Sequence, residues 1–80
     1  MYDETKIDEV ILALMYLGRH DGNRTWKSFD WGSLNRLHQK GYIFDPVNKA
    51  KSVSLTSEGE ELSKKLFKQL FETDKVGDKL

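Results

Sequence analysis

The stretch from Trp31 to Gly59, WGSLNRLHQKGYIFDPVNKAKSVSLTSEG, constrains the fold more than any other part of the chain. Asp30 can cap a helix in which Trp31, Leu34, Leu37 and His38 share one face, while Ser33, Arg36, Gln39 and Lys40 lie mostly on the other. Gly41 follows as a residue able to take the positive φ at which helices end. Tyr42-Ile43-Phe44 reads as a short strand that Asp45-Pro46 breaks, because proline cannot donate to a ladder. After a turn, Ser52-Val53-Ser54-Leu55 alternates polar with apolar, the pattern of a strand with one buried face. Thr56 then caps another helix, with Glu58 in its first turn where negative charge suits the dipole. Helix, strand, turn, strand and helix in this order predict an α+β domain whose two strands pair as a hairpin.

Upstream, Thr5 is placed to cap a first helix, with Asp8 and Glu9 following it, and that helix runs to about Leu17 and stops near Gly18. Ile7, Val10, Ile11, Leu14 and Leu17 fall within one arc and are the predicted core face, whereas Leu12 and Tyr16 point the other way. The connection GRHDGNRTWKSF carries a turn signal at Asp21-Gly22 and has room for one helical turn around Thr25 to Ser28. In the last helix Leu62, Leu66 and Leu70 line one side, and Phe67 and Phe71 widen the apolar arc to nearly half the circumference. Residues 1–72 are expected to form one domain, and the polar tail 73–80 is expected to fray.

Eighty residues without a cysteine have neither a disulfide nor a thiolate metal site to supplement a core that buries only about 60–65% of the unfolded surface. A second subunit is the natural supplement. The surplus apolar surface, Leu12 and Tyr16 on the first helix with Phe67, Leu70 and Phe71 on the last, either closes on itself or meets a symmetry mate, and the homodimer is the favoured expectation. No apolar run approaches the roughly 20 residues of a membrane span and no signal sequence opens the chain, so a cytoplasmic protein is expected.

Thirteen basic residues balance thirteen acidic ones, which removes the simplest electrostatic argument for nucleic acid. The charge is nevertheless unevenly spread. Residues 1–18 carry a net −3, residues 19–51 a net +4 and residues 52–80 a net −1. A basic face can therefore exist on a neutral chain, because binding answers to local potential.

Two resemblances follow from the quoted residues. LNRLHQKGYI and VSLTSEGEEL resemble the matching half of winged-helix regulators of the MarR and PadR type. That resemblance implies a small winged-helix-like domain of three main helices plus a two-stranded hairpin wing, and dimers that bind duplex DNA. Between Leu17 and Trp31 there is no second helix of ordinary length to complete a helix-turn-helix. Over nearly the whole chain, KIDEVILALMYLGRHDGN, WKSFDW and DPVNKAKSVSLTSEG resemble a family of small stand-alone bacterial proteins of unknown function. That likeness supplies no activity.

The chemistry-bearing residues are sparse. Neither His20 nor His38 has a companion at ligand spacing; His20 belongs to a turn, and His38 is expected to be partly buried and hydrogen-bonded. There is no glycine-rich phosphate loop and no nucleophile with a base and an orienting group, so no enzyme, metal or cofactor is expected. Trp26 and Trp31, near Arg24, Lys27 and Arg36, are expected to anchor the connection on the core; stacking on bases is the alternative. Two binding classes remain. In a DNA-binding accessory or transcriptional regulator, Ser33, Arg36, Gln39 and Lys40 would enter a groove while Lys49 and Lys51 meet phosphate. In a protein-interaction module, the same frame would hold a partner through its apolar helix faces.

Overall fold

The computed structural model describes residues 2–72 and shows an α+β domain of three helices and a two-stranded antiparallel sheet. The expected tail lies outside the described residues. Helix α1 spans Glu4–Leu17 and is capped by Asp3, whose Oδ1 accepts the Lys6 N–H at 3.2 Å, so the start falls one residue before the predicted Thr5 cap. Helix α2 spans Trp31–Gln39, with Asp30 accepting the Ser33 N–H, and the chain leaves it through Gly41 at φ 82°. Helix α3 spans Ser57–Phe71. At its start Thr56 Oγ1 accepts the Gly59 N–H at 3.0 Å and donates to the Gly41 carbonyl at 2.6 Å, which ties this end of α3 to the exit of α2. Gly59 completes the junction: any Cβ there would fall inside the Tyr42 carbonyl, so only glycine lets the helix start press on that backbone.

Strand β1, Arg24–Trp26, lies where one helical turn seemed possible, and it pairs antiparallel with β2, Ser52–Ser54, with Thr25 opposite Val53. The β-branched Thr25 is buried, and its hydroxyl donates to the Met15 carbonyl at 2.8 Å, docking the strand on the end of α1. The Tyr42–Phe44 segment meets the other edge of β2 more briefly, through an Ile43–Leu55 bridge and the Phe44 N–H to the Ser54 carbonyl. β2 is thus flanked on both sides. The alternation read in Ser52–Leu55 holds at its apolar positions, since Val53 and Leu55 are buried.

The core comprises Ile11, Leu12, Ala13 and Met15 of α1, Leu34 and Leu37 of α2, Leu66 of α3, and Ile43, Val53 and Leu55 around the sheet. Ile11 is in the core as expected, but the rest of the expected inner face of α1 turns outward. Leu12, assigned to an outer interface, is only 1% exposed, while Ile7, Val10, Leu14 and Leu17, assigned to the core, are between 37% and 66% exposed. The helix is apolar nearly all round, so its own periodicity admitted either choice. Docking decided the matter: α2 grips Asp8 on one flank, and α3 covers the flank that carries Leu12 and Tyr16. His38 also departs from expectation, because Ser33, Leu34 and Leu37 form the inner side of α2 and leave its ring exposed.

Candidate functional site

One contact ties down part of the expected DNA-reading face of α2. Arg36 Nε donates to Asp8 Oδ2 at 2.6 Å and its Nη2 to Asp8 Oδ1 at 3.0 Å, a two-pronged pair, while Nη1 reaches Glu4 at 3.3 Å. Asp8 is only 2% exposed. Burial pushes its carboxyl upward, but the bonds from Arg36 and the Ser33 hydroxyl, with the charges of Arg36 and Lys40, outweigh burial and hold it below its ordinary value of 3.8. Arg36 therefore serves to join α2 to α1 and is not a free cation. Ser33 is fully buried beside it, with its hydroxyl 3.3 Å from Arg36 Nη2, and cannot enter a groove. Gln39 and Lys40 are exposed, yet Lys40 stands beside the carboxylates of Asp8 and Glu9. Lys49 and Lys51 are exposed on the loop before β2.

That loop is organised by Lys27. Its ammonium donates to the Pro46 carbonyl at 2.7 Å, the Asn48 carbonyl at 3.1 Å and Asn48 Oδ1 at 3.0 Å, while Asp45 and Asn48 side chains accept the Val47 and Ala50 N–H groups. The two tryptophans do not anchor the connection by burial: each is about half exposed, and Phe29 is the aromatic that packs on the core there. Trp26 stacks on His20 with ring centres 4.3 Å apart, across a tight turn in which Asp21 and Gly22 both take positive φ. His20 itself flanks the turn, bridged antiparallel to Arg24.

A shallow groove of about 260 Å³ opens between the helices, with Leu12, Leu37, Leu62 and Leu66 beneath a rim of Thr5, Asp8, Glu9, Lys40 and Tyr42. Among the described residues no buried side-chain polar atom lacks a partner, and no three His, Cys, Asp or Glu side chains stand close enough to share a metal ion. No helix among the described residues is long and apolar enough to cross a membrane.

Of the apolar residues proposed for an interface, Tyr16 and Phe67 pack on each other at 5.5 Å, and Phe67 continues to Phe71 at 5.4 Å. Arg19 closes over the Tyr16 ring at 4.1 Å and pairs with Glu60 at 3.4 Å. These contacts join α1 to α3 within one chain; only Leu70 and Phe71 keep substantial exposure. The larger free surface is the stripe Ile7, Val10, Leu14 and Leu17. Its three-four-three spacing is visible in the sequence, but the same spacing fits a core face equally well, so sequence alone does not single it out as a site. It continues past the helix: Gly18 lies on the same line, and the Trp26 indole is 3.8 Å from where a Gly18 side chain would begin.

The sequence matches the domain of unknown function DUF6429 across residues 3–73. It is 52% identical over 69 residues to the uncharacterised protein y4hR of Sinorhizobium fredii, a match that covers 86% of this chain and 93% of that protein. No solved structure matches it.

Proposed function

Because the chain belongs to DUF6429, a small bacterial family to which no activity is attached, we propose its function from the geometry: it is a non-enzymatic protein-interaction module that binds through the free face of α1. The observation that carries this is the inversion of α1, which hides a carboxylate and presents four aliphatic side chains in a row. A row of that kind is costly to leave in water and is well suited to a second apolar surface. The reading assumes the cytoplasm, where a chain without disulfides is at home.

Duplex DNA, which the likeness to MarR and PadR regulators suggests, is the competing reading. It retains Gln39, Lys40, Lys49 and Lys51 but loses Ser33 and Arg36, on a chain of zero net charge. A photo-crosslinking amino acid placed at Leu14 in living cells separates the two, with Gln69 on α3 as an exposed control. The expected result is a discrete protein adduct from position 14 and none from position 69. Absence of an adduct at 14, together with duplex binding that weakens steeply as salt is raised and is lost in Lys49→Ala with Lys51→Ala, would establish the DNA reading instead.

A further inference from the structure

We infer that the partner of this face is a second copy of the chain, with the two α1 helices packed antiparallel about a two-fold axis; this rests on the reading of α1 as a protein-contact helix. Ile7, Val10, Leu14 and Leu17 follow one another at intervals of three, four and three residues, the spacing that keeps apolar side chains on the seam between two helices. The series reads the same in both directions. Turned end for end on a copy of itself, it sets Ile7 against Leu17 of the second copy and Val10 against Leu14, so every exposed aliphatic group meets another. A two-fold contact requires this kind of self-complementary surface.

Charge selects the antiparallel orientation. Glu4 and Asp8 are held by Arg36 and Arg19 by Glu60, so the exposed charges nearest the two ends of the stripe are Asp3 and Lys6 at the start of α1 and Arg24 beyond its end. A parallel pair would set like ends side by side. The antiparallel pair brings each α1 start toward the other copy's Arg24 and also opposes the two helix dipoles.

Area points to the same extended seam. A stable interface takes about 800 Å² from each partner, more than four half-exposed aliphatic groups provide. Tyr2 at one end of α1 and Trp26 at the other are exposed rings, and the reversal brings each toward the other on the second copy. The dimer therefore spans the full length of α1 and the β1 turn.

Sedimentation equilibrium on the full chain, from low micromolar to millimolar concentration, is expected to report a reversible dimer that Val10→Glu with Leu14→Glu weakens by more than about tenfold. The absence of cysteine allows the register to be mapped directly. Separately purified Val10→Cys and Leu14→Cys chains, mixed under mild oxidation, should form the mixed disulfide faster than either homodisulfide. A chain that is monomeric throughout overturns the dimer, and if position 14 still crosslinks to a different protein the broader interaction reading stands. A dimer indifferent to the double glutamate variant, or one that favours the Val10→Cys homodisulfide, also overturns it. Loss of the circular dichroism spectrum in the double variant would make the stripe part of the fold and overturn both readings.

Discussion

Asp8 and Arg36 show how much a single pair of side chains settles. The carboxylate is buried on α1, twenty-eight residues from its partner, and is tolerable there only because the guanidinium satisfies both oxygens. Asp8→Ala is expected to cost roughly 1–3 kcal/mol in urea unfolding, the range for removing one partner of a buried polar contact. Arg36→Ala should cost more, because it leaves the buried carboxylate uncompensated. The folded carboxyl titrates below its ordinary 3.8, so the pair's stabilisation is fully present above that pH and is lost as pH falls through the lower, folded value. Thermal melts from about pH 5 to about pH 2 should show a steeper acid loss in the wild-type chain than in Asp8→Asn. Gly59 offers a second test at this scale. Gly→Ala inside an exposed helix ordinarily stabilises by up to about 1 kcal/mol, but Gly59→Ala should destabilise the chain, because the added methyl meets the Tyr42 carbonyl.

Among the elements, α1 is the one whose sequence and structure part company. Its two apolar stripes are comparable in strength, and the buried one contains the less obvious members, Asp8, Leu12 and Met15. Leu12→Ala is expected to cost about 2–5 kcal/mol, the range for truncating a buried leucine. Leu14→Ala, measured at low micromolar concentration where association is minimal, should cost much less, and urea midpoints will distinguish the two. The caps were far more legible. Asp30, Gly41 and Thr56 act where they were expected, because a cap answers to backbone groups within three or four residues of itself. The strands were legible only in part. Ser52–Ser54 was recognisable from its alternation, but its main partner, Arg24–Trp26, lies across an intervening helix in the sequence, and three residues carry too little pattern to announce a strand.

For the whole molecule, balanced charge and small size left the question of what supplements the core, and the answer offered by the fold is an apolar surface that the described residues leave uncovered. If two copies cover it, the association is partly electrostatic. Arg24→Glu should then weaken dimerisation several-fold at low salt, with the difference shrinking as salt is raised, while the apolar contribution of the stripe persists. Sedimentation of wild type and variant at two ionic strengths checks this. On the candidate site, sequence ranked exposed-looking polar residues of α2 highest, and Arg36 and Ser33 proved to be structural. A side chain's type says what it can bind, but whether it is free depends on neighbours that the local pattern does not contain.

The sequence by itself determined where the helices lie, how they end, that the chain is α+β and that it has more apolar surface than one small core needs. These follow from periodicity and capping, which act over one or two turns of chain. Only the tertiary structure decided which face of α1 turns inward, which strand pairs with Ser52–Ser54 and whether Arg36 is a ligand-binding or a structural group. Each of those choices depends on contacts between residues roughly 26–30 positions apart in the sequence. Such contacts are selected by the energy of the assembled molecule and leave little trace in any single segment.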